Sequence, residues 1–317
     1  MTSLHQELAR SGPGGATALT LGVFDGVHRG HRHLIQHLQA VAAREGVTPV
    51  VVTFGNHPIT VLRPEIPLAM LTTLEERSVL LRAAGVEHVV PITFTRDLSL
   101  FTAEEFVLTL RAALGMIVLV VGPDFAMGHQ RQGTIPVLQA LGAKHGFSVE
   151  VVTPLTLEGD VISSTAVRGA LAAGDVSAAA RCLDRPYAVA GVVERGEGRG
   201  AELGFPTANV AVQADLALPA DGVYAAWLTV DKARYPAAVS IGTKPTFHDA
   251  GPREVEAHAL DLNGDLYGRR VVLEFAHRVR GQERFSTVDA LVERMHKDVT
   301  VVREVLSQAP PRTSLDD

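Results

Sequence analysis

The chain has 317 residues, of which 46% are hydrophobic and 20% are charged, and its formal net charge is −6. These values are typical of a globular protein long enough for two domains with separate cores. The negative charge argues against nonspecific nucleic-acid binding, and a single cysteine, Cys182, excludes a disulfide framework and a cysteine-rich zinc site. We therefore expect a cytoplasmic protein without a signal peptide or a membrane-spanning segment.

Residues 16–183 alternate segments of strand type with segments of helix type. Short apolar runs rich in β-branched residues predict buried parallel strands, and they cover residues 16–24, 48–54, 86–92, 116–122 and 147–153. Apolar residues at helical spacing, followed by a terminal glycine, predict helices, and they cover residues 33–46, 73–85 and 102–115. This alternation predicts a doubly wound parallel α/β sheet, whose ligands bind at the carboxyl ends of the strands.

The pattern changes near residue 184. Short strand-type segments separated by Gly, Pro and Asp predict a compact antiparallel β-barrel, and they cover residues 185–193, 218–230, 235–242, 254–262 and 269–279. Residues 286–308 predict a closing helix with Ser286 or Thr287 as its N-cap, and residues 309–317 a flexible tail. The predicted domains are therefore residues 1–184 and 185–308.

The stretch LGVFDGVHRGH, residues 21–31, follows the first predicted strand. If a helix begins near Gly30, His28 and His31 lie at its N-terminus, where free N–H groups and the helix dipole favour phosphate. A glycine-rich turn with incidental histidines, or a pair of metal ligands, would give the same residues. The sequence holds neither a Walker A motif nor a Gly-x-Gly-x-x-Gly motif after this strand, so nucleotide binding needs another arrangement.

Four stretches resemble the first domain of one bacterial family. GVFDGVHRGH (22–31) resembles the nucleotidyltransferase motif with a His-x-Gly-His core, as found in bifunctional riboflavin kinase/FMN adenylyltransferases. Segments VVTFGNHP (51–58), VGPDFAMGHQRQG (121–133) and ISSTAVRGAL (162–171) resemble three further motifs of that domain. The sequence departs from the family pattern at Asn56, Met127 and Ala166, and the first two departures bear on the shape of the flavin pocket.

The resemblance implies roles for individual residues of the first domain. His28 and His31 are expected to be catalytic through their grip on phosphate. Asn56 and Asp124 are expected on the flavin side, although Asp124 also suits a simple turn. The expected ATP and phosphate ligands are Gly22, Phe24, Asp25, Gly30, Ser163, Ser164, Thr165 and Arg168. The last four also make physical sense as a helix start followed one turn later by a guanidinium, but an N-cap with a surface arginine would look the same.

The segment GVVERGEGRGAELGFPTANV, residues 191–210, resembles the riboflavin kinase signature. Its glycines, Gly196, Gly198 and Gly200, can present N–H groups to phosphate. Thr207 and Asn209 lie two residues apart and so share one face of an extended chain. The resemblance implies that both bind Mg²⁺ and nucleotide phosphate, a role that suits hard oxygen ligands. A turn followed by a bulged strand is the alternative reading.

In the segment 254–262, strand alternation places Glu254, Glu256 and His258 on one face. Spacing alone does not choose between the two glutamates, and a solvated strand face would explain all three residues. The resemblance selects Glu256 as the base that accepts the proton of the riboflavin 5′-hydroxyl. It also suggests a flavin contact for Arg280.

The resemblance covers residues 17–305 and implies a bifunctional enzyme of flavin synthesis. We expect ATP-dependent phosphorylation of riboflavin to FMN, adenylylation of FMN to FAD, and Mg²⁺ as cofactor. Small molecules are the expected partners, without nucleic acid or membrane, and the expected state is a monomer or a weak homo-oligomer. Three alternatives remain: a riboflavin kinase with a regulatory nucleotide-binding first domain, a flavin carrier, and a nucleotidyltransferase acting on tRNA or a lipid headgroup.

Overall fold

The computed structural model of the protein describes residues 3–196, 200, 203–243, 253–262 and 264–308. The chain divides into two compact units, Met1–Ser164 and Thr165–Asp317. The boundary predicted at residue 184 lies two helices further along the chain and stays a prediction. Gly198 and the predicted tail of residues 309–317 lie outside the described residues.

The first unit is built on a five-stranded parallel sheet with the order β3-β2-β1-β4-β5, which confirms the predicted doubly wound fold. The chain begins in the middle of the sheet, adds two strands on one side, and then crosses to the other side. The point where the order reverses lies between β1 and β4, and it is the usual place for a ligand. The strands are β1 (Thr17–Gly22), β2 (Thr48–Phe54), β3 (His88–Ile92), β4 (Met116–Val121) and β5 (Ser148–Val151).

Helices cover both faces of this sheet because successive side chains of each strand point in opposite directions. Leu19 and Leu21 belong to one buried cluster, whereas Ala18 belongs to the other. Two of these helices begin with a capping box, which Thr73 and Thr102 each form with the glutamate three residues later. The helices are α1 (Ser3–Ser11), α2 (Arg29–Glu45), α3 (Pro58–Leu62), α4 (Leu74–Ala83), α5 (Ala103–Leu114) and α6 (Ile135–His145).

Several elements of the first unit were not predicted from the sequence. Helices α1, α3 and α6 are among them, as is a small hairpin of β6 (Thr156–Leu157) and β7 (Asp160–Val161). A five-residue helix and two-residue strands are too short to show a periodic apolar pattern.

The second unit contains a closed barrel with the order β10-β11-β12-β9-β8-β13, in which every pairing is antiparallel. The prediction of an antiparallel barrel is thus confirmed. Two helices precede it, α7 (Ser164–Ala172) and α8 (Val176–Leu183), and α9 (Val288–Ser307) follows it. The strands are β8 (Tyr187–Glu194), β9 (Ala208–Val212), β10 (Gly222–Val230), β11 (Ala233–Thr243), β12 (Arg253–Ala259) and β13 (Arg270–Arg280).

Alternating strand residues fill the barrel and hold the closing helix. Phe275 packs its ring against those of Tyr187 and Tyr224, and all three side chains are buried. Ala225, one residue after Tyr224, instead joins a cluster with Val302 and Leu306 of α9. The N-cap of α9 is Thr287, whose hydroxyl accepts a hydrogen bond from the Ala290 N–H at 3.2 Å. Of the two predicted caps, the structure therefore selects Thr287.

Candidate active sites of the two units

His28 and His31 form a stacked pair at the N-terminus of α2. His28 is the N-cap, and its Nδ1 accepts a hydrogen bond from the His31 N–H at 3.3 Å. The two rings lie 3.6 Å apart with an angle of 19° between their planes, and the edge of Phe24 meets the His31 ring at 5.1 Å. Stacking fixes both imidazoles at the end of the helix where N–H groups are free for an anion.

The turn between β1 and α2 has an unusual backbone. Phe24, Gly26 and Val27 have φ angles of 53°, 78° and 39°, a region that residues with a side chain adopt at a free-energy cost of about 1–3 kcal/mol each. Both non-glycine side chains are buried, Phe24 to 3% exposure and Val27 to 1%. Such a conformation persists only where neighbouring groups impose it.

Asp25 is one group that imposes this conformation. Its carboxylate is buried at 2% exposure and accepts hydrogen bonds from the Leu71 N–H at 2.9 Å, the Thr72 N–H at 3.2 Å and the Thr72 hydroxyl at 3.3 Å. The Thr72 hydroxyl in turn accepts from the Gly26 N–H at 3.1 Å. Asp25 was predicted as a phosphate ligand; its carboxylate binds backbone N–H groups and a hydroxyl inside the protein, and its contact with ATP stays a prediction.

The ISSTAVR segment meets this turn, which brings two sequence motifs together. The Ser164 hydroxyl donates to the Asp25 carbonyl at 2.9 Å. A Cβ on Gly30 would lie 3.1 Å from both the His28 Nδ1 and the Ile162 carbonyl oxygen, so this close approach favours glycine. Helix α7 begins at Ser164 and carries Thr165 in its first turn and Arg168 one turn later. The phosphate-binding roles of Ser163, Thr165 and Arg168 stay predictions.

The surroundings of the His31 imidazole favour its neutral form. Burial lowers the pKa of His31 well below its usual 6.5, and the charges of His28 and Arg77 lower it further. Its Nδ1 is buried and has no hydrogen-bond partner among the described residues. An incoming anion would supply a hydrogen-bond partner for the His31 ring. Its negative charge would also raise the pKa of His31, because it favours the protonated imidazole.

These histidines lie at the point where the strand order of the sheet reverses. A pocket there is lined by the start of α2 and by the segments that follow β4 and β5, in agreement with the rule for open α/β sheets. Asp124 is exposed directly after Pro123, which lines this pocket. The lining residues are His28, Gly30, His31, His33, Leu34, Gly122, Pro123, Val152, Thr153, Pro154, Leu155 and Ile162.

Two departures from the family pattern have structural explanations. The Asn56 amide donates to the Phe94 carbonyl at 2.9 Å and accepts from the Phe94 N–H at 2.8 Å, so it ties the loops after β2 and β3 together. Met127 is 6% exposed and belongs to the hydrophobic cluster of the first unit. Asn56 therefore connects two loops and Met127 packs in the core. A direct flavin contact of Asn56 stays a prediction.

In the second unit, strand register places polar residues in a row across four strands. Asn209 on β9 is paired with Glu194 on β8 and with Glu256 on β12, which is itself paired with Ser240 on β11. Their chain neighbours Val193, Ala208, Val210, Val255, Ala257, Val239 and Ile241 are buried. The row therefore faces outward, and directly paired residues on one face have Cβ atoms about 5 Å apart.

Two glycines leave room for the side chains of Asn209 and Thr207. A Cβ on Gly196 would lie 1.9 Å from the Asn209 Nδ2, and one on Gly200 would lie 3.1 Å from the Thr207 Oγ1. Thr207 and Asn209 are both half-buried on either side of the buried Ala208, as the predicted shared face requires. Their contacts with phosphate and Mg²⁺ stay predictions.

His258 holds the segment that precedes Thr207. Its Nδ1 lies 2.8 Å from the Pro206 carbonyl oxygen, a distance that assigns the proton to Nδ1 because a carbonyl only accepts. The Phe205 ring packs edge-on between His258 at 5.4 Å and His296 of α9 at 4.9 Å. The sequence placed His258 on the face of Glu256, but a contact to a residue 52 positions away leaves no local signal.

Arg280 lies in a buried ion pair. Its Nε donates to both carboxylate oxygens of Asp298 on α9 at 3.1 and 2.9 Å, and its second terminal nitrogen lies 2.8 Å from that carboxylate. The remaining nitrogen donates to the Gly281 carbonyl at 3.1 Å. All three guanidinium nitrogens are thus engaged within the unit, although a guanidinium carries five N–H donors, and the flavin contact of Arg280 stays a prediction.

The described residues contain no group of three or more His, Cys, Asp or Glu side chains placed to hold a metal ion. In the same part of the chain, no helix is both long and apolar enough to cross a membrane.

Two family models match the chain in succession. A model described as FAD synthetase matches residues 13–166, and one described as riboflavin kinase matches residues 183–306. The bifunctional riboflavin kinase/FMN adenylyltransferase of Pseudomonas fluorescens is 37% identical over 294 residues, covering 92% of this chain and 94% of that protein. That of Escherichia coli K12 is 36% identical over 296 residues with the same coverage. With both domains matched in full-length relatives, a kinase with a merely regulatory first domain is not favoured.

One solved structure is similar over most of the chain. It is described as a macrolide-efflux protein from Streptococcus pneumoniae, is 31% identical, and superposes with a TM-score of 0.86 over 93% of this chain and 96% of that one. That description differs from those of the sequence relatives. What the two chains share is the arrangement of both units' elements along the sequence.

Proposed function

Because this chain belongs to the bifunctional riboflavin kinase/FMN adenylyltransferase family, we propose which of its residues carry each of the two reactions. The enzyme phosphorylates riboflavin to FMN with ATP, and it joins the AMP of a second ATP to FMN, which gives FAD and pyrophosphate. We assign adenylyl transfer to the domain of residues 1–184 and the kinase reaction to the domain of residues 185–308. The observation that carries the first assignment is the stacked His28–His31 pair at the start of α2.

In adenylyl transfer, a phosphate oxygen of FMN attacks the α-phosphorus of ATP. The new P–O bond forms while the bond from the α-phosphorus to the bridging oxygen breaks, and pyrophosphate leaves with that oxygen. The FMN phosphate is already an anion, so no protein base is needed, and the domain must supply positioning and charge stabilisation.

The residues at the start of α2 suit that task. His28, His31 and the free N–H groups of the first helical turn would hold the triphosphate, with Gly22, Phe24 and Gly30 forming the backbone around it. Ser163 directly precedes a second helix that begins with Ser164 and Thr165, and the N-terminus of this helix and Arg168 would hold the outer phosphates. Asp124 would contact the flavin or a ribose hydroxyl from the end of β4.

The kinase step has a neutral nucleophile and therefore needs a base. The riboflavin 5′-hydroxyl attacks the γ-phosphorus of ATP, its proton passes to the Glu256 carboxylate, and ADP leaves. The pairing of Glu256 with Asn209 across two strands supports this role, because it places the carboxylate beside a residue of the proposed phosphate site. Gly196, Gly198 and Gly200 would supply N–H groups to the phosphates.

We propose Mg²⁺ as the cofactor, held in the second domain by Thr207 and Asn209. The donor set fits this ion, because hydroxyl and amide oxygens on one face are hard ligands that leave room for phosphate oxygens and water. Bound Mg²⁺ neutralises charge on the ATP phosphates. The chain's own part is to hold these two oxygens in place, which the close contact of Gly196 and Gly200 with their side chains supports.

The remaining proposals concern the setting of the enzyme. We propose a cytoplasmic enzyme with one reduced cysteine. Its partners would be ATP, riboflavin and FMN, and the net charge of −6 argues against a nucleic-acid partner. A monomer or a weak homo-oligomer is proposed, since neither reaction requires residues from a second copy.

The decisive experiment incubates the purified protein with riboflavin, ATP and Mg²⁺ and follows the flavins by chromatography. We expect FMN to rise first and then to give way to FAD. The double variant His28→Ala/His31→Ala should stop at FMN, whereas Glu256→Gln should convert added FMN to FAD without making FMN from riboflavin. An unchanged yield of FAD from the double histidine variant would refute the assignment of the first site.

A further inference from the structure

Arg77 on α4 is a fully buried cation that neither proposed reaction uses. It is 1% exposed. Its guanidinium donates to the Phe54 carbonyl at 2.6 Å and to the Thr72 carbonyl at 3.4 Å, while its Nε has no partner among the described residues. Removing a charge from water costs several kcal/mol unless the surroundings compensate it. A residue kept under such conditions needs a compensating charge.

The compensating charge is the Asp25 carboxylate, and the residue that links the two is Thr72. The N–H and hydroxyl of Thr72 donate to the Asp25 Oδ1, and the carbonyl of the same residue accepts from Arg77. Burial lowers the pKa of Arg77, while attraction to Asp25 opposes that effect. One residue of backbone is thus polarised between a buried anion and a buried cation.

This chain of contacts ends at the turn that presents the histidines. Asp25 lies between Phe24 and Gly26, which both have positive φ angles, and the Gly26 N–H donates to the Thr72 hydroxyl. Two carbonyls from different segments, Phe54 at the end of β2 and Thr72 two residues before α4, converge on the one guanidinium. Arginine suits this position because its planar guanidinium can donate to both carbonyls at once.

We propose that Arg77 is a positioning residue for adenylyl transfer, which acts through Thr72 and Asp25 to fix the turn that presents His28 and His31. The proposal rests on the function assigned to those histidines above. If Arg77 acts in this way, its loss lets the strained turn relax, and a displacement of about 1 Å at a reacting group lowers a rate about a hundredfold. Its loss leaves the second domain's reaction unchanged.

The test is a double-mutant cycle on kcat for FAD formation from FMN and ATP, using Arg77→Met, Asp25→Asn and the double variant. We expect each single variant to lose at least about thirtyfold in kcat, with the KM for ATP changed less than about threefold. Since both residues act through one network, adding Arg77→Met to Asp25→Asn should lower kcat by no more than about fivefold further. A larger further loss overturns the proposal, as does an Arg77→Met variant within about twofold of wild type.

Controls separate positioning from a general loss of the domain. Arg82→Met removes an exposed arginine of the same helix and should leave kcat unchanged. If Arg77→Met does not fold, as judged by circular dichroism, the cycle is run with Arg77→Lys, which keeps the charge and is judged by the same non-additivity with Asp25→Asn. Failure of the histidine assignment is recognised separately, because the His28→Ala/His31→Ala variant would then still make FAD.

Discussion

Asn209 on β9 and Glu256 on β12 are directly paired residues of an antiparallel ladder, although 46 other residues separate them along the chain. Their side chains leave the barrel on the same outer face, because the neighbours of both are buried inside it. A carboxylate is thereby held beside an amide whose own place is set by Gly196. The distance between the proposed base and the proposed phosphate site is thus set by the barrel and not by a loop.

The first prediction follows from this pairing. Glu256→Gln removes the proton acceptor and keeps the shape, so FMN formation should fall by about 10²–10⁴-fold in kcat, the usual contribution of a general base. Conversion of FMN to FAD should not change. The matched control is Glu254→Gln, on the same face two residues earlier, which should retain FMN formation. If FMN formation fell equally in Glu254→Gln and Glu256→Gln, the reaction would need negative charge on this face of β12 and not a base at position 256.

A second prediction concerns the glycine that supports Asn209. Gly196→Ala places a methyl group 1.9 Å from the position of the Asn209 Nδ2, so the amide must move out of its place. We expect a rise of about tenfold or more in the KM for MgATP in the kinase reaction, with FAD formation from FMN unchanged.

The control for that variant is Gly169→Ala. Gly169 lies inside α7, and a Cβ there meets nothing within 4 Å, so alanine should raise stability by about 0.5–1 kcal/mol and leave FMN formation unchanged. If Gly196→Ala keeps the wild-type KM for MgATP, Asn209 does not contribute to nucleotide binding from its present position.

The sequence was sufficient for both folds because each pattern is local. Apolar runs such as residues 116–122 predict buried strands, and Thr102 followed by Glu105 marks a helix start that the structure confirms. The phosphate-type motif could also be placed, since His28 and His31 are only three residues apart on the first turn of α2.

Contacts between distant segments could not be derived in this way. Arg77 reads as one more polar residue of a helix, and only the fold brings it to the carbonyls of Phe54 and Thr72. Asp25 was predicted as a ligand because it lies inside the motif, and only the fold shows that its carboxylate also binds backbone N–H groups 46 and 47 residues away. For Arg280, the resemblance suggested flavin, whereas the fold supplies a carboxylate from a helix 18 residues later.

The third prediction concerns this last pair, Arg280 and Asp298, which are about 10% and 6% exposed. Asp298→Asn leaves a buried guanidinium without its counter-charge, so the second unit should lose about 3–5 kcal/mol of unfolding free energy. Arg280→Met/Asp298→Leu removes both charges but also takes the carboxylate from Arg294, whose Nε lies 3.4 Å from it, so it should lose less than the sum of the two single changes. Urea denaturation measures these values, and a loss in the double variant equal to the sum of the two single losses would mean that the pair is not coupled.

The fourth prediction concerns pH and His31. Burial, with help from His28 and Arg77, lowers the pKa of His31 in the folded protein, so below about pH 6.5 the unfolded chain binds a proton that the folded chain does not. Stability from this residue is therefore fully present above about pH 6.5 and decreases as the pH falls towards the folded-state pKa, with a slope of up to about 1.4 kcal/mol per pH unit. His31→Gln has no such proton to bind. Urea denaturation between about pH 7.5 and about pH 5 should show a steeper loss for wild type than for His31→Gln, and parallel lines would mean that the imidazole is not kept neutral by its surroundings.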